Sequence, residues 1–235
     1  MINTSLNYRF KIFKDSPLVV SFSDRSLDMS SRHPDSKNNR MGFLKTIDVD
    51  YSSMVSADQV HGVRVGFVSE VDKGKVISST DSLVTNLRNI ALAVFTADCL
   101  PVFIYDKKNN AIGLAHAGWR GTKDRVVVKT IELMRQRFGT QMQDLICAFG
   151  PSIGACCYEV GTEVARYFKK GLTLRNGNLY LDLAGINARQ LCDLGLAKEQ
   201  IENVRICTAC LINEFFSYRR EKDNSGRMMS VMMLK

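Results

Sequence analysis

Short apolar runs separated by polar stretches recur along most of the chain and predict eight strands. The runs are rich in Val, Ile, Leu and Phe, and turn-forming residues lie between them. They cover residues 18–22, 63–68, 91–95, 102–105, 111–115, 145–149, 204–207 and 229–234. Chains with this many short strands form sheet-containing domains.

Three other segments have apolar residues at helical spacing. The clearest apolar face is formed by Val127, Ile131, Met134 and Phe138. This helix is expected to stop at Gly139, and two further helices are predicted over residues 159–168 and 184–194. Because strands outnumber helices and do not alternate with them regularly, the pattern favours an α+β fold over a doubly wound sheet.

Composition indicates an ordinary globular protein. The chain has 235 residues, 45% of them hydrophobic, which is enough to bury a sizeable core. It contains four prolines and no repeat or linker, so a single domain over residues 1–235 is expected, with residues 23–39 as its least ordered part. The longest apolar stretch, residues 90–105, is interrupted by Thr96 and Asp98 and is shorter than the roughly 18 residues of a membrane span. With no signal-peptide core at residues 1–14, the prediction is a cytoplasmic protein without a membrane partner.

The net charge indicates an anionic ligand. Lys and Arg number 32 against 24 Asp and Glu, which gives a formal charge of +8. The basic residues are scattered in pairs and form no Lys/Arg-rich run or nucleic-acid-binding signature, so no nucleic-acid partner is expected. A phosphate-bearing substrate is the better use of this charge.

Seven cysteines without a secretion signal predict reduced thiols rather than a disulfide framework. Cys207 and Cys210 have the spacing of a redox or zinc pair, but a second such pair is absent. We therefore interpret these two, and the adjacent Cys156 and Cys157, as thiols that pack in the core.

Two histidines and one cysteine lie in unusual surroundings. His61 precedes a strand, His116 lies where a strand ends in a glycine-flanked turn, and Cys99 follows Asp98 inside an otherwise apolar run. Two imidazoles and a thiolate are a plausible catalytic zinc set with an open fourth position. The residues alone leave other interpretations open, since a loop histidine is often only hydrogen-bonded and a buried cysteine is inert by default.

Several sequence blocks occur in the order seen in a known family. They are Val60-His-Gly62, Asp81-Ser-Leu-Val-Thr85, Thr96-Ala-Asp-Cys-Leu-Pro101, His116-Ala-Gly-Trp-Arg-Gly121, Gly150-Pro-Ser-Ile-Gly154, Tyr158-Glu-Val-Gly161, Cys207-Thr208, Phe215-Phe-Ser-Tyr-Arg-Arg220 and Gly226-Arg227. With these blocks the chain resembles the YfiH-like family, also called laccase-domain or multicopper polyphenol oxidase proteins.

The resemblance implies a four-layer α/β/β/α fold and a zinc site with His61, Cys99 and His116 as ligands. It also implies phosphorolysis of the purine nucleosides adenosine, inosine, guanosine and S-methyl-5'-thioadenosine. Adenosine deamination is implied as a companion activity. The expected partners are therefore purine nucleosides and phosphate.

Phosphorolysis requires an anion site, and Arg120 is the first candidate. It lies between Gly118 and Gly121 at a predicted helix entrance, where backbone N–H groups and a planar guanidinium both suit phosphate. Arg40 is a second candidate on the resemblance alone. Arg219 and Arg220 are alternatives that could equally be solvated surface residues.

Deamination would require a water molecule activated by the metal and a carboxylate that transfers protons. Asp98 is the expected acid/base because it adjoins Cys99, although the two share a pocket only if the chain turns there. Asp81 is the fallback, and a purely positioning role for Asp98 is the alternative. Trp119 could stack on the purine or pack in the core.

The same residues are compatible with three other functions. A copper-dependent phenol oxidase would use the same ligands, but a laccase also needs a three-copper cluster, and three histidines cannot supply it. A metal-free hydrolase would use Cys99 as nucleophile and His116 as base, which leaves His61 without a role. A non-enzymatic protein with a structural zinc would need a fourth ligand such as Cys207.

Overall fold

Two mixed β-sheets dominate the computed structural model, which describes residues 8–235. The five-stranded sheet has the order β1-β14-β6-β2-β4, with β1 at Leu18–Phe22, β14 at Met228–Leu234, β6 at Ala91–Thr96, β2 at Met54–Ala57 and β4 at Val76–Ile77. The six-stranded sheet has the order β13-β9-β7-β8-β5-β3, with β13 at Ile201–Asn203, β9 at Leu145–Phe149, β7 at Leu100–Asp106, β8 at Ala111–Ala117, β5 at Ser82–Thr85 and β3 at Val65–Phe67. Both sheets combine parallel and antiparallel pairs.

Smaller elements complete the described part of the chain. A three-stranded sheet has the order β10-β12-β11, formed by Glu159–Val160, Asn178–Leu181 and Leu172–Arg175. The α-helices are α1 at Ser36–Thr46, α2 at Trp119–Lys123, α3 at Val126–Phe138, α4 at Thr162–Ala165, α5 at Leu183–Asp193 and α6 at Tyr218–Glu221. Single 3₁₀ turns occur at Lys11–Phe13, Tyr51–Ser53, Glu70–Asp72, Met142–Asp144, Lys198–Gln200 and Lys222–Asn224.

The period-two alternation of strand side chains produces the layers. On β6, Leu92 and Val94 belong to the core between the two sheets, whereas Ala91 and Ala93 pack on the side of α1. On β7, Phe103 points into that central core and Ile104 packs with α3 on the outer side. The order is therefore α1, five-stranded sheet, six-stranded sheet, and then α3 with α5.

This architecture confirms the α+β fold class and the four-layer α/β/β/α arrangement. Both faces of β7 and β8 are covered, and every residue of the two strands is buried. A turn ending at Asn110, in the left-handed region, joins them as a hairpin, and the Asp106 carboxylate accepts the N–H groups of Lys108 and Asn109. No helix in residues 8–235 is long and apolar enough to cross a membrane, and the cytoplasmic location stays a prediction.

Some predicted elements are wrong. Residues 204–207 form no strand, because Arg205 has a φ of 55° and breaks the extended chain. Residues 159–168 contain strand β10 followed by the short helix α4, because Val160 and Glu159 pair with β12 before a helix begins. Within 23–39, expected to be least ordered, helix α1 already starts at Ser36.

Candidate functional site: a His/Cys/His centre in an arginine-lined cavity

Three side chains distant in sequence meet where the chain crosses between the sheets. His61 lies in the connection from β2 to β3, and Cys99 in the turn from β6 to β7, so both connections pass from the five-stranded to the six-stranded sheet. His116 lies near the end of β8. One possible ligand atom from each of the three lies within 4.8 Å of the others. We refer to these residues as the His/Cys/His site.

Asp81 orients two of the three groups. Its carboxylate is fully buried, and Oδ1 lies 2.8 Å from Nδ1 of His116. The same carboxylate accepts the backbone N–H groups of Val60, His61 and Gly62 at 2.7–3.2 Å. Asp81 therefore positions the His116 ring and holds the loop that carries His61, which is the usual arrangement behind metal-binding histidines.

The backbone around the site adopts uncommon conformations. His61 has a φ of 59° and Asp98 a φ of 87°, both in the left-handed region that costs non-glycine residues about 1–3 kcal/mol. A Cβ on Gly118 would lie 2.9 Å from Sγ of Cys99 and 3.3 Å from Cδ2 of His61. Glycine at this position therefore lets the β8–α2 connection pass directly against two of the site residues.

The site combines opposite charges at neutral pH. Burial by itself would raise the pKa of the Cys99 thiol, but the charges and hydrogen bonds of His116 and His61 lower it to about 6. Burial would likewise lower the pKa of His116, yet the neighbouring Cys99 and Asp81 raise it to about 9. At neutral pH the Cys99 thiolate therefore lies beside the His116 imidazolium. A metal cation that replaces the proton of His116 would bind the Cys99 thiolate as an anionic ligand.

These residues fit a divalent metal ion. Because Asp81 engages Nδ1 of His116, the other ring nitrogen is the donor that remains for a metal. Two imidazoles and a thiolate suit zinc and also copper, and three protein ligands leave a position for substrate or water. Cys207, the fourth ligand that a structural zinc here would need, belongs instead to a separate group of four cysteines.

Asp98 shares the cavity with Cys99 because the chain turns at residues 97–99. Its buried carboxylate accepts hydrogen bonds from Oγ1 of Thr208 at 2.6 Å, Oγ of Ser217 at 3.0 Å and the backbone N–H of Arg219 at 2.6 Å. Asp98 therefore ties its own turn to two distant parts of the chain, residue 208 and residues 217–219. Its role in proton transfer stays a prediction.

The predicted arginines differ in what they bind. Arg40 lines the cavity, stacks on Phe95 with its Cζ 4.3 Å from the ring centre, and donates twice to the carbonyl oxygen of Met29. Arg120 also lines the cavity but is exposed, and its guanidinium stacks on Trp119 at 4.4 Å. It lies in the separate five-residue helix α2, whereas the sequence predicted that it lies at the entrance to the long helix α3.

The two alternative arginines, Arg219 and Arg220, differ in their position relative to the cavity. Arg219 lines the cavity and donates to the carbonyl oxygen of Glu159 at 2.6 Å. Arg220 is bound by the carbonyl oxygens of Thr208, Ala209 and Phe215, which makes it a structural residue of its loop. Trp119 lines the cavity and also stacks against Tyr167, with ring centres 6.1 Å apart.

The cavity beside the His/Cys/His site has a volume of about 930 Å³, which is large enough for a nucleoside with phosphate. Tyr158 and Arg227 both line it, although the sequence predicted no role for either. Burial raises the pKa of Tyr158, so its hydroxyl stays protonated and can donate a hydrogen bond. Both residues fall in blocks that carried the family resemblance, and this was the signal available in the sequence.

The prediction that Cys156, Cys157, Cys207 and Cys210 pack in the core is wrong for Cys156 and Cys210, whereas Cys157 and Cys207 do pack against an apolar cluster around Ile153. Cys156 and Cys210 are exposed, and Cys157 and Cys207 are partly exposed. The turn with Cys156 and Cys157 lies against the loop with Cys207 and Cys210, so the four sulfur atoms lie within 4.8 Å of one another. Cys156 and Cys157 thus provide the second pair of thiols that the sequence pattern lacked.

Comparison with known proteins identifies the family of this chain. The model of a family described as multi-copper polyphenol oxidoreductase laccase matches residues 21–235, which confirms the resemblance seen in the sequence blocks. Purine nucleoside phosphorylase YlmD of Bacillus subtilis is 34% identical over 89% of this chain and 81% of its own. Purine nucleoside phosphorylase CA_C1699 of Clostridium acetobutylicum is 32% identical over 97% of both chains. Adenosine deaminase RL5, from an unknown prokaryotic organism, is 33% identical over 80% of this chain and 78% of its own.

Solved structures show the same fold. The crystal structure of YlmD from Geobacillus stearothermophilus superposes with a TM-score of 0.91 at 27% identity, covering 96% of this chain and 94% of that one. The Bacillus licheniformis protein YfiH superposes with a TM-score of 0.88 at 29% identity, over 93% of each chain.

Proposed function

Because this chain belongs to the multi-copper polyphenol oxidoreductase laccase family, in which relatives carry the name purine nucleoside phosphorylase, we propose that it is a zinc-dependent purine nucleoside phosphorylase. Its substrates are adenosine, inosine, guanosine and S-methyl-5'-thioadenosine, and adenosine deamination is its second activity. The relative named adenosine deaminase supports the second activity.

One observation carries the proposal: the His/Cys/His site opens into a cavity whose walls are rich in arginine. The cavity-lining arginines are Arg32, Arg40, Arg120, Arg219 and Arg227. A multiply charged anion such as phosphate needs several such donors, and a planar guanidinium binds two of its oxygens at once. Phenol oxidation has no use for this charge.

The chain's own residues divide the work of binding and proton transfer. Arg120, exposed and backed by Trp119, is the proposed phosphate ligand, with Arg40 as the second. The phosphate attacks the sugar carbon while the purine leaves, and a protonated Tyr158 hydroxyl in the cavity is available to the departing base. Asp98 is the proposed acid/base for deamination.

Zinc, held by His61, Cys99 and His116, would supply Lewis-acid polarisation and activation of a water molecule when bound. Asp81 would keep the His116 ring in the orientation that the ion requires.

Product analysis tests the proposal directly. Adenosine is incubated with and without phosphate, and adenine, hypoxanthine and inosine are followed for the wild type and His116→Ala. Adenine that forms only with phosphate, and inosine that forms without it, are expected from the wild type, and both should be lost in the variant. If the zinc-loaded wild type yields none of these products, the proposal fails.

Steady-state kinetics test the phosphate site. Arg120→Ala should raise the KM for phosphate more than the KM for the nucleoside, because the proposed role of the guanidinium is to bind the anion. Arg135→Ala is the matched control, since Arg135 is exposed on α3 and does not line the cavity. An equal rise of both KM values in Arg120→Ala would reject its role as phosphate ligand.

Copper loading separates the main alternative. A multicopper oxidase needs further histidines, but the remaining histidine, His33, accepts the backbone N–H of Asp35 and does not line the cavity. The protein loaded with copper should therefore not oxidise phenols, even if copper occupies the His/Cys/His site. Phenol oxidation by the copper-loaded protein would favour the oxidase.

A further inference from the structure

Four cysteine thiols form a compact cluster outside the His/Cys/His site. Sγ of Cys210 lies 3.5 Å from Sγ of Cys156 and 3.3 Å from Sγ of Cys157. Sγ of Cys207 completes the group, in which all distances are at most 4.8 Å. We refer to these residues as the four-cysteine cluster.

The distances between the sulfur atoms match those around one tetrahedrally coordinated metal ion. A zinc–sulfur bond of about 2.3 Å places the sulfurs of a Zn–S₄ centre about 3.8 Å apart, within the range seen here. The distances from Sγ of Cys210 to Sγ of Cys156 and of Cys157 also exceed the length of a disulfide bond, about 2.05 Å. A closed set of four protein ligands is typical of structural zinc rather than catalytic zinc.

Two turns present the sulfurs to a common point. The Cys157 N–H donates to the Gly154 carbonyl oxygen, and the Cys210 N–H donates to the Cys207 carbonyl oxygen, which shapes each turn. The Gly154 N–H lies 3.3 Å from Sγ of Cys207 and donates to it. Backbone N–H donors of this kind stabilise the thiolate form that a metal requires.

The cluster also has room and charge compensation. A Cβ on Gly154 would lie 3.1 Å from Sγ of Cys156 and 3.4 Å from Cβ of Cys207, so glycine lets the two turns approach each other. Four thiolates and one zinc ion carry a net charge of −2. The Arg175 guanidinium lies beside them, donating to the carbonyl oxygens of Ala155 and Cys156.

We propose that Cys156, Cys157, Cys207 and Cys210 bind a second, structural zinc ion. The ion would join the loop after β9 to the loop after β13, which also meet through the bridge between Ser152 and Cys207 and the hydrogen bond from Gly154 to Cys207. Both loops border the nucleoside cavity. Ile153 lines it, and Thr208 holds the Asp98 carboxylate. The second ion therefore fixes the wall of the cavity without contacting substrate.

The proposal is tested on the full chain by measuring the number of zinc ions per chain with elemental mass spectrometry. The wild type, purified from zinc-containing medium, should hold two zinc ions per chain. A His61→Ala/His116→Ala variant and a Cys207→Ser/Cys210→Ser variant should each hold one. Cys192→Ser is the matched control, because Cys192 lies in α5 away from both groups, and it should retain two.

X-ray absorption identifies the ligands. In the His61→Ala/His116→Ala variant, the remaining zinc should be surrounded by four sulfurs at about 2.3 Å. This variant keeps all four cysteines, so the test holds even if the Cys207→Ser/Cys210→Ser variant fails to fold. The proposal would be overturned if the His61→Ala/His116→Ala variant contained no metal, a disulfide within the four-cysteine cluster, or iron in place of zinc. The result does not depend on phosphorylase activity, so the two proposals fail separately.

Discussion

At the scale of single residues, the chemistry depends on how Asp81 arranges its neighbours. The blocks around His61, Cys99 and His116 allowed the three to be singled out from the sequence. The part played by Asp81 could not be, because its contacts with His116 and residues 60–62 exist only once β5 lies beside β8. The four-cysteine cluster was missed for a similar reason, since adjacent cysteines give no metal-binding spacing until two loops meet.

Alkylation of Cys99 should reveal the thiolate. In chelator-treated protein, the rate of reaction with iodoacetamide should rise with pH through a midpoint of about 6, because the thiolate predominates above its lowered pKa. His116→Ala should move that midpoint upward, since the main opposing charge is lost. Peptide mass spectrometry measures the rate, and added zinc should suppress it. A wild-type midpoint near the usual thiol value of about 8.5 would contradict the charge assignment.

Asp81→Asn should weaken metal binding at the His/Cys/His site by about 10- to 100-fold, because the amide no longer provides a charge for the His116 ring. Competition with a chromogenic chelator measures the affinity. Asp124→Asn, an exposed change at the end of α2, is the control and should leave it unchanged. Equal affinity of Asp81→Asn and the wild type would show that the carboxylate only holds the loop.

At the scale of elements, sequence patterns succeeded where burial follows a regular period. Strands β1 and β9 have the predicted bounds, and α3 ends at Gly139 as expected. Helix α1 escaped prediction because only Phe43 and Leu44 are buried along it, which gives almost no apolar periodicity. Residues 204–207 were wrongly predicted as a strand because Val204 and Ile206 do pack on the core, whereas only Cys207 forms an isolated β-bridge.

The connection from β8 to α2 provides a test at this scale. Gly118→Ala should reduce turnover by about 10- to 100-fold, because the added methyl group displaces Cys99 or His61. Thermal stability should change little, since φ at Gly118 is −75° and suits alanine.

Gly139→Ala is the opposite control for that test. Gly139 ends α3 with a φ of 72°, so alanine there should cost about 1–2 kcal/mol of stability and leave the kinetics intact. Thermal unfolding and steady-state rates measured on both variants check the pair. Full activity in Gly118→Ala would show that the site tolerates the extra group.

At the scale of the whole molecule, four layers place the site at the crossing between two sheets and surround it with positive charge. Neither property is visible in a local pattern, because each requires segments from opposite ends of the chain. The net charge of +8 was visible, but its concentration around one cavity was not.

Ionic strength should therefore affect the KM for phosphate and the KM for the nucleoside differently. Raising salt from about 0.01 M to about 0.15 M shortens the screening length from about 30 Å to about 8 Å. The KM for phosphate should increase several-fold, whereas the KM for uncharged inosine should stay nearly constant. Initial rates in potassium chloride measure both, and parallel changes would show that the field around the cavity does not guide the anion.

The position of β14 inside the five-stranded sheet has a consequence for synthesis. It pairs with β1 on one side and β6 on the other, although it follows almost all other described residues in the chain. While the ribosome is still translating, β1 and β6 have no neighbour between them and expose unpaired backbone edges. A nicked polypeptide that lacks Met228–Leu234 should therefore leave both edges unpaired and aggregate.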